Sequence, residues 1–129
     1  MYEVVGGKAT GFASPAQGYE EQDIDFNKLL VRNPPATYLF RLESEDMRAL
    51  GLSKGALLIV DRSRKPRQNS IVLIRHEGKF LCRLMTKIRG MAVFTNGINT
   101  IKPVVDETEI IGTVTSYIVM TDAEGGWFQ

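Results

Sequence analysis

The sequence has few of the residues from which most metal sites and many catalytic sites are built. It contains one cysteine, Cys82, and one histidine, His76, among 129 residues. One cysteine cannot form a disulfide within the chain, and these two residues cannot assemble a zinc finger or a multi-histidine metal site. We therefore expect no metal and no cofactor, and any Cys-His or Ser-His catalytic pair would have to use His76.

Long apolar runs are also missing. No stretch approaches the roughly 18 apolar residues that a membrane span needs, and no basic start followed by an apolar run marks a signal peptide. Together with the single cysteine, this predicts a cytoplasmic protein with no membrane partner. The 16 basic and 15 acidic side chains give a net charge of +1, which does not favour broad binding to nucleic acid.

The middle of the chain has the pattern of short β-strands. Six segments are rich in β-branched or aromatic residues and are separated by turn formers. They are residues 36–42, 56–61, 70–76, 79–86, 91–95 and 110–120. Tight turns are predicted at Glu77-Gly78, Arg89-Gly90 and Asn96-Gly97. The expected fold is mainly β, an antiparallel β sandwich or partly closed barrel with one or two short helices.

The composition divides the chain into three parts. Residues 1–22 are rich in glycine and small polar residues, which predicts an extended N-terminal arm. Residues 23–120 form the domain, and residues 121–129 form a C-terminal tail. At the start of the domain, Asp25 is placed to cap a short helix that continues through Arg32 and stops before Pro34.

The most specific segment is residues 44–61, where a strand ends and a single helical turn over Asp46 to Leu50 is expected. A turn of this kind exposes backbone N–H groups that can hold an anion or a nucleophile. Together with GFASP at 11–15, DFNKLL at 25–30, PATY at 35–38 and GKFLCRL at 78–84, this segment closely resembles UmuD-like members of the LexA/UmuD family of self-cleaving serine peptidases.

The resemblance implies a LexA/signal-peptidase-like β domain that forms homodimers and acts in the bacterial SOS response to DNA damage. It further implies that the protein serves a UmuC-like Y-family polymerase in translesion synthesis and SOS mutagenesis. A RecA filament and the sliding clamp are the other partners that it implies. Contact with DNA would be mostly indirect, through the polymerase.

The same resemblance identifies two positions that decide activity. Relatives cleave their own arm with a Ser-Lys dyad, and the matching residues here are Asp46 and Arg83. An arginine, with a pKa above roughly 12, cannot become the neutral base that activates a hydroxyl. The charge of Asp46 lies where an oxyanion would have to develop. We therefore expect a pseudo-peptidase in which the two side chains form a charge-assisted hydrogen bond.

The N-terminal arm carries the position that relatives cleave. They are cut between a small residue and glycine, which Thr10-Gly11 matches as a vestigial cleavage site, and ten residues lead up to the cut. Because so short a segment before the cleavage position resembles the processed form of the relatives, we expect that this protein needs no cleavage. A LexA-like repressor is a weaker alternative, because these residues cannot build a DNA-reading helix-turn-helix.

An active peptidase with a shifted dyad is the main alternative. It would use Ser44 as nucleophile and Lys87 as base. Lys87 lies four residues beyond Arg83, which is about 13 Å along a strand at roughly 3.3 Å per residue. Because a dyad needs contact between its members, we favour the inactive protein.

The remaining features have structural alternatives. Arg62, Arg64, Lys65 and Arg67 could contact DNA phosphates or an acidic partner, but a solvated loop that keeps a sheet edge from aggregating is favoured. Trp127 and Phe128 could anchor a partner, fold over the protein's own dimer or stay disordered. His76 is expected on the surface of a hairpin, and Cys82 is expected to act as a small hydrophobic residue.

Overall fold

The computed structural model of the chain describes residues 24–122. Seven strands form one antiparallel sheet with the order β1-β2-β7-β3-β4-β5-β6. They are β1 Thr37–Arg41, β2 Leu57–Asp61, β3 Ile71–His76, β4 Lys79–Ile88, β5 Met91–Thr95, β6 Thr100–Ile101 and β7 Thr108–Ile118. The predicted mainly β fold is confirmed. Strand β6 was not predicted, because two residues are too short to carry an alternating pattern.

One α-helix, α1, spans Phe26–Leu30, and single 3₁₀ turns span Pro34–Ala36 and Arg48–Leu50. Asp25 caps α1, since its Oδ1 accepts the backbone N–H groups of Asn27 at 3.0 Å and Lys28 at 3.3 Å. The helix ends two residues before the predicted Arg32. Pro34 and the following proline lack the N–H groups that another helical turn would need.

Two hairpins join β3 to β4 and β4 to β5. Glu77 and Gly78 have φ values of 52° and 82°, and Arg89 and Gly90 have φ values of 54° and 82°. Two consecutive positive φ values match the twist of the flanking strands, as in a type I′ turn. These two of the three predicted turns are therefore present, and the third, Asn96-Gly97, lies in the connection between β5 and β6, where Gly97 has a φ of 93°.

The sheet curls strongly. Four strand spacings separate β1 from β4 in the sheet order, which would be roughly 19 Å in a flat sheet. The rings of Phe40 in β1 and Phe80 in β4 nevertheless have centroids 6.1 Å apart. The sheet must bend back on itself to bring them together, as in a partly closed barrel.

Two groups of buried side chains fill the domain. The first is Leu42, Met47, Leu52, Ala56, Leu58, Val60, Leu73 and Cys82. The second is Val72, Ile74, Met85 and Phe94. The described part of the chain has no helix that is long and apolar enough to cross a membrane.

Strand β7 lies between β2 and β3 and changes partner along its length. Thr113 is opposite both Asp61 of β2 and Val72 of β3. The β2–β3 connection therefore crosses β7 at this point. A Cβ on the neighbouring Gly112 would lie 2.7 Å from Val60 Cγ1 and 3.1 Å from the Asp61 carbonyl oxygen. Glycine is thus required where the chain leaves β2.

Candidate functional site

The segment that carries Asp46 connects β1 to β2 and is held at its base. The backbone N–H of Leu42 donates to the Ala56 carbonyl at 2.8 Å, and that of Gly55 donates to the Leu42 carbonyl at 2.7 Å. Met47 is fully buried in the first core group. Asp46, which precedes this anchor, therefore has a fixed backbone position.

The local turn at Asp46 is closed by short-range hydrogen bonds. The Asp46 backbone N–H donates to Ser44 Oγ at 3.3 Å, and the Arg48 N–H donates to the Glu45 carbonyl at 3.0 Å. The Lys54 N–H donates to Glu45 Oε1 at 3.4 Å. The expected helical turn is present as a 3₁₀ turn over Arg48–Leu50. Its bonds leave the Asp46 side chain half exposed.

Arg83 lies in β4, opposite Val72 of β3, and its side chain is 10% exposed. Its Nη1 donates to the Cys82 carbonyl at 2.8 Å. Its Nη2 lies 3.6 Å from Asp46 Oδ2. That distance makes an ion pair and exceeds a hydrogen bond, so the contact is looser than the charge-assisted bond expected from the sequence.

The two side chains offer a guanidinium and a carboxylate side by side. A guanidinium has donors only, and its positive charge attracts the carboxylate. Among residues 24–122, no hydroxyl or amine forms a hydrogen bond with the Asp46 carboxylate or the Arg83 guanidinium, and the Ser44 hydroxyl contacts only the Asp46 backbone N–H. The arrangement can fix the β1–β2 connection against β4, and Arg83 cannot accept a proton from a nucleophile.

Ser44 and Lys87 are not brought together. Ser44 Oγ accepts the Asp46 N–H, whereas Lys87 is exposed, opposite Ala92 in the β4–β5 hairpin. Within the described residues, no hydrogen bond joins Ser44 to a lysine. A shifted dyad therefore has no geometric support.

Cys82 and His76 have structural surroundings. Burial raises the pKa of the Cys82 thiol to about 11, although the nearby charge of Arg83 opposes this rise. A thiol that stays protonated is a poor nucleophile. The His76 side chain is 13% exposed, with Nδ1 2.7 Å from Thr108 Oγ1 in β7, so it is more enclosed than a surface hairpin residue.

The basic cluster Arg62, Arg64, Lys65 and Arg67 lies in the β2–β3 connection and is largely exposed to solvent. The Arg62 guanidinium carbon lies 5.9 Å from the centre of the Tyr38 ring. Both β2 and β3 are interior strands of the sheet. Protection of a sheet edge therefore does not account for this cluster.

Sequence reasoning missed one cation beside this cluster. Arg32 follows α1 and lines a groove together with Arg64. No local sequence signal places Arg32 there, because its position beside Arg64 depends on contacts between residues far apart in the chain. The predicted positions Thr10, Gly11, Trp127 and Phe128 lie outside the described residues, as do the arm and most of the tail.

Comparison with known proteins gives matches over most of the chain. A family model described as Peptidase S24-like matches residues 3–115. Protein SamA of Salmonella typhimurium is 36% identical over 113 residues, which cover 86% of this chain and 79% of SamA. Protein MucA of Escherichia coli is 34% identical over 115 residues, with the same two coverages of 86% and 79%. Protein ImpA of Escherichia coli is 41% identical over 70 residues, which cover 54% of this chain and 48% of ImpA.

Proposed function

Because the chain belongs to the Peptidase S24-like family as a UmuD-like member, we propose that it is a catalytically inactive accessory subunit of an error-prone translesion DNA polymerase in the bacterial SOS response. The observation that carries this proposal is the ion pair between Asp46 and Arg83 at the two dyad positions. An acid and an arginine in contact cannot perform the proton transfer that a serine and a neutral lysine perform.

The chemistry at each position supports the loss of activity independently. Asp46 places a negative charge where acyl transfer would develop another, and this repulsion raises the barrier. A guanidinium offers hydrogen-bond donors only, so an arginine at position 83 cannot serve as the neutral base. Restoring one position alone would leave the other defect in place, so recovery of cleavage requires both.

The proposed partners follow from the family resemblance. The protein would act in the cytoplasm as a homodimer bound to a UmuC-like Y-family polymerase, with RecA filaments and the sliding clamp as further contacts. The protein itself would act by binding partners through its surface and not by catalysis. The alternative is an active self-cleaving peptidase, which would convert the full chain into a fragment that begins at Gly11.

A reversion experiment tests the proposal. The double variant Asp46→Ser/Arg83→Lys is incubated with activated RecA filament and followed by mass spectrometry, beside Asp46→Ser alone and the natural protein. We expect the fragment beginning at Gly11 from the double variant only. Cleavage of the natural protein would overturn the proposed inactivity, and cleavage by Asp46→Ser alone would show that Arg83 does not block the reaction.

The polymerase role has a separate test. The tagged protein is purified from damaged cells, and copurifying proteins are identified by mass spectrometry. Recovery of a Y-family polymerase in a fixed ratio to the dimer is the expected outcome. Its absence, in a preparation that retains the dimer, would contradict the accessory role without affecting the conclusion on catalysis.

A further inference from the structure

A groove separates α1 from the β2–β3 connection. It has a volume of about 320 Å³, and its floor is the stretch of β7 from Thr113 to Ser116. One wall is formed by Leu29, Leu30 and Arg32, and the other by Asp61 and Arg64. Most of these side chains are polar or charged, so the groove suits a polar ligand better than an apolar one.

The wall that carries Arg64 has a fixed backbone. Thr113 Oγ1 donates to the Arg64 carbonyl at 2.9 Å, which ties the connection to the floor of the groove. Asp61 Oδ1 accepts the backbone N–H of Ser63 at 2.9 Å and its hydroxyl at 2.6 Å. Asn33 Nδ2 donates to Ser63 Oγ at 2.9 Å and so links the two walls. The groove is therefore preformed.

The charges around the groove are not balanced. Among residues 24–122, neither Arg32 nor Arg64 makes an ion pair, and Arg62, Lys65 and Arg67 add three further cations. Asp61 is the single acidic residue of the lining. Its hydrogen bonds with Ser63, together with the charge of Arg64, lower the pKa of Asp61 and keep it ionised. Two arginines against one carboxylate leave the lining with a net positive charge, to which the three cations outside it add, and an anion would relieve this charge.

We propose that this groove binds a phosphate of the DNA backbone, held by Arg32 and Arg64, while Arg62, Lys65 and Arg67 contact neighbouring phosphates. DNA carries closely spaced charges, and these match several cations presented by one fixed loop. An acidic protein partner would need an apolar centre to bind stably, and the lining provides only Leu29 and Leu30 in one wall and Val114 in the floor. The site is independent of the accessory role, since it needs no polymerase.

The test uses the full-length protein and a fluorescein-labelled oligothymidylate, with binding followed by fluorescence anisotropy over a series of salt concentrations. The variant Arg32→Gln/Arg64→Gln removes two charges at the groove. The matched control Lys87→Gln/Lys102→Gln removes two exposed charges that lie outside it. All four positions are exposed, so we expect the folds to be unchanged, and thermal melting checks this.

We expect the groove variant to bind at least about tenfold more weakly, with a salt slope smaller by roughly 0.7, the value for the one phosphate that is no longer neutralised. The control should keep both values near those of the natural protein. Equal losses in the two variants would overturn the site in favour of diffuse attraction. Absence of salt-dependent binding by the natural protein would also overturn it. Oligoglutamate of equal charge should compete more weakly than unlabelled oligothymidylate, and stronger competition would mean an acidic protein ligand.

Discussion

The contact between Asp46 and Arg83 predicts an asymmetric response to mutation. Asp46→Asn removes the charge and keeps the shape, and it leaves the Arg83 guanidinium, 10% exposed, with its bond to the Cys82 carbonyl. Arg83→Met leaves Asp46, which is 48% exposed and can be hydrated. The first change should therefore be the more costly of the two, because it strands the more buried charge.

The magnitude follows from the exposure of the two groups. Exposed pairs contribute about 0.2–1 kcal/mol, and breaking fully buried pairs costs about 3–5 kcal/mol. In this pair Arg83 is nearly buried and Asp46 is half exposed, and Arg83 Nη2 lies 3.6 Å from Asp46 Oδ2, which is longer than a hydrogen bond. We expect Asp46→Asn to cost about 1–1.5 kcal/mol, Arg83→Met to cost less than about 1 kcal/mol, and their coupling energy to be about 0.5–1 kcal/mol.

Urea denaturation of the four proteins in this double-mutant cycle measures these values. Protein concentration must be the same throughout, because the stability of the proposed dimer would depend on it. A coupling energy below about 0.3 kcal/mol would refute an energetic role for the contact. A larger loss for Arg83→Met than for Asp46→Asn would refute the argument that the buried charge dominates.

Three further predictions concern other parts of the domain. Gly112→Ala should destabilise the protein by about 1–3 kcal/mol in urea denaturation, because its Cβ would meet Val60 and the Asp61 carbonyl; no loss would refute the close approach. Asp25→Ala should speed amide hydrogen exchange in α1 by removing a cap worth about 1 kcal/mol, and unchanged exchange at Asn27 would argue against the cap. Because the pKa of the Cys82 thiol is raised in the folded protein, the contribution of the buried thiol to the free energy of unfolding is complete below pH 9 and is lost as pH rises towards 11. Cys82→Ala should therefore lose less stability than the natural protein over that interval, and parallel losses would contradict the shift.

Much of the fold follows from local sequence signals. The glycines at 78 and 90 occupy the second position of two-residue hairpin turns. Because only two residues connect the strands of each hairpin, few other turn conformations are possible. The strand segments were predicted within one or two residues in most cases. The end of α1 was predicted too late, because the effect of the missing N–H groups of Pro34 and Pro35 reaches back by four residues.

The site was predictable to a smaller extent. Family spacing named Asp46 and Arg83, and the fold brings them into contact. The sequence could not supply the position of β7 between β2 and β3, because strand order depends on contacts between distant residues. For the same reason it placed the basic loop at a sheet edge and missed Arg32 beside it. The enclosure of His76 also depends on a distant residue, Thr108 of β7.

The central claim is that the natural protein does not cleave itself. The most direct measurement incubates the full chain with activated RecA filament and searches by intact-mass spectrometry for a product that begins at Gly11. A self-cleaving relative in the same tube serves as the positive control for the filament. We predict that the relative is cleaved and that this chain keeps its full mass. Appearance of the Gly11 fragment from this chain would contradict the account.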